Sequence, residues 1–241
     1  MFKYPDTNSS RANIEYLNRK FEGYKVAIIG LGGTGSYILD FLSKTPVEEI
    51  HLFDGDIFQL HNAFRAPGAI SIERMESEEE IFKVHYFEEI YSQMHDGIKA
   101  HPVFVTEENV SLLSHMHFVF ISVDKNMVRS FLAEMLLSFK VPFIDVGMGI
   151  NRVDDSLIGS MRMTYGSADK NDHLKHRFGQ MDFDESEYST NIQIAELNCQ
   201  NAIMAITKWK KVLGFYQDLK EEHNTLYFLN TNKVLNEDHK A

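Results

Sequence analysis

The sequence contains a single cysteine, Cys199, in 241 residues. One thiol cannot form a disulfide within the chain, and a zinc site built from paired thiolates needs more than one. We therefore expect neither an internal disulfide nor zinc. No apolar run approaches the ~20 residues that span a bilayer, and the N-terminus lacks the basic start and apolar stretch of a secretory signal. These absences predict a cytoplasmic protein with no membrane partner.

Basic residues are also scarce. The chain carries 24 Lys and Arg against 35 Asp and Glu, which gives a formal net charge of −11. Such a field repels the phosphate backbone of nucleic acids unless a strong basic patch is present, and the sequence shows no such patch. We therefore expect no nucleic-acid partner. The hydrophobic content of 44% is typical of a globular enzyme or binding domain.

Short apolar runs alternate with segments of helical length, which predicts a parallel sheet with helices on both faces. The predicted strands of this sheet are Lys25–Ile29, Ile50–Phe53, His101–Val105, Phe118–Val123 and Val141–Val146. Leu157–Tyr165 alternates loosely and predicts an antiparallel strand, and Leu226–Leu229 predicts a last strand. The expected fold class is therefore α/β, with a Rossmann-like, mostly parallel sheet and antiparallel strands late in the chain.

The segments between and around these strands differ in character. Residues 1–24 predict an N-terminal helical segment, and the acidic run Met75–Glu80 predicts a solvated helix start. Gly166–Ser189 is polar and predicts a long mobile loop. Ile192–Phe215 has apolar residues at helical spacing and predicts an amphipathic helix. Because no repeat or low-complexity linker divides the chain, we interpret residues 1–241 as one domain.

A glycine-rich turn follows the first strand. Gly30, Gly32 and Gly35 satisfy G-x-G-x-x-G, and a helical apolar pattern follows at residues 37–43. In this motif the first glycine makes a tight turn, the second lets a phosphate approach the backbone, and the third allows close packing of helix on strand. The helix N-terminus adds partial positive charge. The setting between strand and helix favours nucleotide binding over a purely structural turn.

The residues that follow the second predicted strand in the sequence indicate which class of nucleotide, a dinucleotide or a triphosphate, would bind. Asp54 stands where a Rossmann unit places its ribose-binding carboxylate, although Asp54-Gly-Asp56 is also good turn chemistry. Up to this point an NAD- or FAD-dependent oxidoreductase fits equally well. Asn62 and Arg65 follow at a fixed distance, and a dinucleotide enzyme has no general use for that pair. A triphosphate does, because an arginine fork matches phosphate oxygens and an amide donates beside it.

This combination of motifs resembles the ThiF/MoeB/HesA family, the adenylating enzymes related to ubiquitin-activating enzymes. Pro142–Gly149 and Asn191–Asn198 also resemble a bacterial branch of the family, so the resemblance covers nearly the whole chain. The resemblance implies a site for ATP and Mg²⁺. Its residues would be Gly30, Gly32, Gly33, Gly35 and Ser36 of the loop, Asp54 for the ribose, Asn62 with Arg65, the downstream Lys83, and Asp124 for Mg²⁺.

The resemblance also implies a homodimer. In this family an arginine from the partner subunit's N-terminal helix normally reaches the triphosphate. Arg11 and Arg19 are the upstream candidates, and Arg11 is better placed because Arg19 lies close to the first strand. A solvated helix arginine explains either residue without a ligand.

The sequence departs from the family in its thiols. Many members bind zinc through two CxxC pairs, and many carry a cysteine that accepts the acyl group as a thioester. This chain has neither zinc pair, and Cys199 falls inside a predicted helix. A helical cysteine is usually an inert small hydrophobe, so we expect the acceptor thiol on another protein. Asp145, at the end of the fifth strand, is a further candidate for a supporting role at the ligand-binding edge.

The predicted function is ATP-dependent adenylation of the C-terminal carboxylate of a small ubiquitin-like protein, followed by transfer to a thiol of another protein. Arg65, Asn62 and Asp124 would carry the catalysis, with Arg11 supplied by the partner subunit. Two alternatives stay open. A non-catalytic nucleotide-binding adaptor of the same fold is favoured by the missing thiol, and an NAD-dependent oxidoreductase leaves Asn62 and Arg65 unexplained.

Overall fold

A computed structural model describes residues 2–77, 79–177 and 192–239 of the chain. The strands are β1 (Lys25–Ile29), β2 (Glu49–Phe53), β3 (Ile98–His101), β4 (Phe118–Ile121), β5 (Phe143–Val153), β6 (Ser156–Gly166), β7 (Asn224–Phe228) and β8 (Lys233–Glu237). The α-helices are α1 (Thr7–Arg11), α2 (Glu15–Asn18), α3 (Gly33–Ser43), α4 (Leu60–Ala63), α5 (Ile72–Met75), α6 (Lys83–Tyr91), α7 (Asn126–Phe139), α8 (Leu174–Arg177) and α9 (Ala195–Val212). Short 3-10 helices form at Arg19–Phe21 and Val110–His115.

The strands pair into one sheet in the order β3-β2-β1-β4-β5-β6-β7-β8. From β3 to β5 all neighbours are parallel, and from β5 to β8 they are antiparallel. The predicted α/β fold with a mostly parallel sheet and late antiparallel strands is therefore confirmed. The chain order reverses between β1 and β4, and open α/β sheets bind ligands at such a switch point.

Helices cover both faces of the parallel strands, so β1 and β4 are buried on both sides. On one face, Val26 and Ile28 of β1 pack in a core that includes residues of α3, α6 and α9. On the other face, Ala27 and Ile29 join a core that includes residues of α7. Trp209 of α9 is fully buried in the first of these cores.

The predicted third strand was wrong in its position. The sequence predicted His101–Val105, whereas β3 is Ile98–His101 and pairs with Ile50–Phe53. Pro102 follows His101 and has no N–H for a ladder hydrogen bond, so the strand ends before it.

The late strands are longer or more numerous than predicted. The fifth strand was predicted at Val141–Val146, but β5 starts after Pro142 and continues to Val153 as one arm of a hairpin with β6. Asp154 turns this hairpin with a φ of 51°, which Asp tolerates better than most residues. The strand β8 was not predicted, because it lies at the sheet edge and its side chains are largely exposed.

The helix predictions need three corrections. The predicted helix start at Met75–Glu80 is wrong: α5 ends at Met75, and the described residues that follow it in the run are not helical, consistent with repulsion between like charges. The helix predicted over Ile192–Phe215 is shorter, and Gly214, with a φ of 72°, follows its end. Within the predicted loop Gly166–Ser189, α8 forms, and residues 178–189 lie outside the described residues.

Within the part of the chain that the structure describes, no helix is both long and apolar enough to cross a membrane.

A buried histidine links the segments that precede β2 and β3. His95 Nε2 donates to the Val47 carbonyl at 3.0 Å, and His95 Nδ1 accepts from the Gly97 N–H at 3.0 Å. Burial is the largest cause that lowers the pKa of His95, to about 4. The neutral ring is therefore the form that the fold requires.

We predict that acid destabilises the fold through His95. The unfolded chain binds a proton near the ordinary pKa of 6.5, whereas the folded chain excludes it until about pH 4, so stability is lost as the pH falls between these values. The full shift is worth about 3 kcal/mol. Denaturant titrations over this range should show a smaller loss in His95→Gln than in the wild type. Parallel pH profiles for the two proteins would contradict the assignment.

Candidate functional site

The candidate site lies at the switch point of the sheet. The glycine loop, Gly30–Gly32, leaves the end of β1, and α3 begins immediately after it. Asp54 follows the end of β2, and Asp124 lies three residues beyond β4. Parallel strands thus deliver these residues to one edge of the sheet.

Two glycines of the loop permit close backbone contacts. Gly30 has a φ of 88°, and a Cβ there would lie 2.5 Å from the Ser122 carbonyl oxygen. A Cβ at Gly35 would lie 1.9 Å from the Gly30 carbonyl oxygen. Side chains are therefore excluded at both positions. Ser36 is fully buried, and its hydroxyl donates to the Gly33 carbonyl at 2.8 Å.

Gly32 is a glycine for a different reason. Its φ of −71° suits other residues, and a Cβ there would meet nothing within 4 Å. Gly32 is the N-cap residue of α3, and no side chain in the described residues caps that helix end. The N–H groups of a first helical turn carry partial positive charge. Open space beside Gly32 therefore lets an anion approach the end of α3.

Asp54 fixes the loop from the side of β2. Its Oδ2 accepts the Leu31 N–H at 2.6 Å and its Oδ1 accepts the Asp56 N–H at 2.8 Å. Burial raises the pKa of Asp54, while the Lys83 charge and the two N–H groups act in the opposite direction. Each carboxylate oxygen keeps a further lone pair that could accept a hydrogen bond from a ribose hydroxyl. Binding of a ribose by Asp54 stays a prediction.

Lys83 lies in the same cluster although it comes late in the sequence. Its ammonium is 2.6 Å from Asp56 Oδ2 and 3.8 Å from Asp54 Oδ1, and its side chain is 8% exposed. Asp56 was not predicted as a site residue, because the Asp54-Gly-Asp56 sequence is explained by a turn. The available signal was the spacing of two carboxylates at a strand end.

Asn62 and Arg65 carry buried donors without acceptors. The Asn62 amide is held by its Oδ1, which accepts the Gln59 N–H at 2.8 Å, and Nδ2 has no partner among the described residues. Arg65 Nε is likewise buried without a partner there. Burial lowers the pKa of Arg65, whereas the charges of Asp124 and Asp56 act to raise it. Arg65 thus lies within the electrostatic reach of both carboxylates.

Asp124 is exposed and lines a cavity of about 70 Å³ next to Gly32. The described residues contain no group of three or more His, Cys, Asp or Glu that could hold a metal ion. Mg²⁺ is commonly bound by one or two carboxylates together with phosphate oxygens. A single carboxylate beside an anion site therefore fits Mg²⁺ when a nucleotide supplies the other oxygens.

Asn198 was missed as a site residue. It is fully buried on α9, its Oδ1 accepts the Thr34 hydroxyl at 3.1 Å, and its Nδ2 is 3.4 Å from the Arg65 carbonyl oxygen. A Cβ at Gly33 would lie 2.0 Å from the Asn198 amide nitrogen. Asn198 therefore joins the glycine loop to the backbone of Arg65. The available signal was its place in the Asn191–Asn198 segment that resembles the family.

Asp145 holds an arginine that lines this cavity. It is fully buried, and Arg129 Nη1 donates to its Oδ2 at 2.9 Å and to the Val146 carbonyl at 2.8 Å. Arg162 donates to the same carboxylate. Because Arg129 lines the cavity and Asp145 does not, Asp145 positions an arginine there.

The predicted arginines of the N-terminal segment lie apart from this cluster. Arg11 is exposed at the end of α1, and α1 borders the turn at Thr45 and Pro46, which precedes β2. That turn is at the amino edge of the sheet, whereas the glycine loop is at the carboxyl edge. Arg19 is also exposed. Within one chain, neither residue belongs to the candidate site.

Cys199 is partly buried on α9. Burial raises the pKa of its thiol, and the charge of Asp40 acts in the same direction. A raised pKa leaves little thiolate at neutral pH.

Comparisons with solved structures show the same fold. PaaA is 14% identical, with 99% of this chain and 76% of PaaA covered and a TM-score of 0.70. E. coli MccB with ATP is 16% identical, with 98% and 72% covered and a TM-score of 0.67. The microcin C7 biosynthetic enzyme MccB with N-formylated MccA is 15% identical, with 97% and 72% covered and a TM-score of 0.71.

Comparison with curated protein sequences gives no match. The sequence profile of the ThiF family, in contrast, matches residues 11–239. Because this match extends over nearly the whole chain, the protein belongs to the ThiF family.

Proposed function

We propose that this chain uses ATP to adenylate the C-terminal carboxylate of a small ubiquitin-like protein. A thiol on another protein then loses its proton and accepts the acyl group as a thioester, and AMP leaves. The observation that carries the proposal is the open space beside Gly32 at the uncapped end of α3, together with the unpaired donors of Asn62 on α4 and of Arg65, two residues after α4. Membership of the ThiF family supports ATP-dependent adenylation of a carboxylate.

In this proposal the nucleotide extends from Asp54 along the end of α3. Asp54 accepts a hydrogen bond from the ribose, and Gly32 lets the phosphates approach the backbone N–H groups. Asn62 and Arg65 donate to phosphate oxygens, and Lys83 adds positive charge. Asp124 would hold Mg²⁺, which would supply positive charge to the phosphate oxygens.

The reaction is a displacement at phosphorus. A substrate carboxylate oxygen bonds to the α-phosphorus, and the bond from that phosphorus to the bridging oxygen breaks. The electron pair of that bond leaves with pyrophosphate, and the acyl adenylate remains. Asn62 and Arg65 stabilise the negative charge that develops on the leaving group, so catalysis consists of positioning and charge stabilisation.

The partner is a peptide or protein in this proposal. MccB, which shares the fold, has been solved with ATP and with N-formylated MccA. We further propose that the chain works as a homodimer. Arg11 is exposed and lies at the far edge of its own sheet, so it would serve the site of the partner subunit.

The proposal predicts that Arg65→Ala weakens binding of ATP·Mg²⁺ by about ten- to a hundred-fold, because a charge-assisted hydrogen bond is worth roughly 1.5–3 kcal/mol. The fold should persist, since Asn198 contacts the Arg65 backbone carbonyl, which alanine retains. Calorimetry measures the affinity, and exchange of radiolabelled pyrophosphate into ATP with candidate ubiquitin-like proteins measures turnover.

Arg74→Ala is the matched control, because Arg74 lies on α5 and its nearest acidic partners are Glu79 and Glu89, outside the site. Unchanged ATP affinity in Arg65→Ala, or a preference for NAD over ATP, would refute the nucleotide site. ATP binding without pyrophosphate exchange for any acceptor would instead identify the non-catalytic adaptor.

A second prediction concerns Gly32, where an added methyl group would enter the space proposed for phosphate. Gly32→Ala should change the free energy of unfolding by no more than about 0.5 kcal/mol, because its φ suits alanine. It should weaken ATP binding at least about ten-fold. Gly149→Ala is the control, because a Cβ there also meets nothing within 4 Å and Gly149 does not line the cavity. Equal ATP affinities for both variants would show that phosphate does not occupy this space.

A third prediction is that Cys199 does not accept the acyl group. Its thiol is partly buried, and burial raises its pKa. Cys199→Ser should therefore retain adenylation and transfer to an external thiol. Gel analysis with and without reductant provides the measurement. A reductant-sensitive adduct between this chain and a ubiquitin-like protein that disappears in Cys199→Ser would overturn the prediction.

A further inference from the structure

A second cavity, of about 620 Å³, lies at the amino edge of the sheet. Its volume is within the range of roughly 300–1,000 Å³ that is typical of small-molecule sites. Its walls are the N-terminal segment from Phe2 to Ile14, the turn at Lys44–Pro46, and the C-terminal end of α9 with the turn that follows. Asp124 and the glycine loop are not among its lining residues.

Aromatic rings form one wall of this cavity. Phe21 and Phe215 line it, and their ring centroids are 5.2 Å apart. Phe21 is 1% exposed and stacks on the buried Trp209 at 5.2 Å. The Phe215 N–H donates to the Lys210 carbonyl at 2.8 Å, which fixes the turn that carries this ring. The wall is therefore preformed.

Lys210 places a positive charge against this wall. Its ammonium lies 5.3 Å from the Phe21 ring centroid and 5.1 Å from that of Phe215. Burial lowers the pKa of Lys210. Among the described residues, no carboxylate lies within ion-pair distance of this ammonium.

The other charged groups that line the cavity do have partners. Asp6 accepts hydrogen bonds from the Ser9 hydroxyl at 2.5 Å and from Asn18 at 3.3 Å, besides capping α1. Lys44 is paired with Asp40 at 2.6 Å. Among the charged lining residues that the structure describes, Lys210 is therefore the one whose charged group has neither a hydrogen bond nor an ion pair, and its contacts are the two ring faces. A charge removed from water is costly unless it is paired.

We propose that this cavity binds an amphipathic organic anion, a small molecule with one carboxylate or sulfonate and an apolar body. The acidic group pairs with Lys210, and the apolar body packs against Phe21 and Phe215. The site is separate from the nucleotide site, so the proposal does not depend on the proposed adenylation.

The test uses two fluorescent probes that differ in one group: anilinonaphthalene sulfonate and neutral phenylnaphthylamine. The titrations contain saturating ATP·Mg²⁺, so that neither probe occupies the proposed nucleotide site. The wild type should bind one sulfonate probe per chain, and decanoate should displace it. Lys210→Met, which keeps the aliphatic stem, should weaken binding of the sulfonate probe by about ten-fold or more. Its affinity for the neutral probe should change by less than about two-fold.

Lys99→Met is the control. Lys99 is exposed on β3 and does not line the cavity, so this variant should bind both probes like the wild type. Thermal melts should give Lys210→Met a midpoint close to that of the wild type, because no acid loses a partner and the aliphatic stem that replaces the ammonium still packs on the two rings. The proposal is overturned if Lys210→Met leaves sulfonate binding unchanged, if both probes weaken equally, or if decanoate fails to compete.

Discussion

The Asp54 carboxylate sets the geometry on which the candidate site depends. It ties the glycine loop to the end of β2 through the Leu31 N–H at 2.6 Å and to its own turn through the Asp56 N–H at 2.8 Å. Asp56 in turn holds the Lys83 ammonium at 2.6 Å. One buried carboxylate thus connects loop, turn and cation, and its burial makes these hydrogen bonds a requirement of the fold.

Side chains from α9 and β5, late in the chain, contact the residues of the proposed site that follow the first two strands. Asn198 of α9 contacts Thr34 on α3 and the backbone of Arg65, so the helix that covers the sheet also links the two sides of the proposed phosphate site. Asp145 of β5 holds Arg129 beneath the cavity that Asp124 lines. These links are made between residues far apart in sequence. They explain why the proposed site requires the whole sheet, although most of its motifs lie within the first third of the chain.

Local pattern was sufficient for part of this arrangement. The strand β1 was predicted with its observed bounds, because a β-branched apolar run flows directly into a glycine motif. Lys83 was placed near Asp54 only by resemblance; in the structure, a bridge between Ile57 and Phe82 brings it there, and sequence spacing does not reveal such a pairing. Asn198 was missed for a related reason: its contacts form only when α9 packs against the glycine loop, and in the sequence its place in the Asn191–Asn198 segment was the one signal for it.

The charge of the chain illustrates the difference between a global and a local field. The net charge is −11, yet burial and then the charges of Arg65 and Lys83 lower the pKa of His61 on α4, so two cations act on this part of the chain. Basic and acidic side chains alternate around the glycine loop, with Asp54 and Asp56 next to Lys83. A duplex presents phosphates over a long surface and experiences the net repulsion. A compact triphosphate at the proposed site would interact mainly with charges within about one Debye length, roughly 8–10 Å. The acidic composition therefore opposes binding of nucleic acid without opposing binding of ATP.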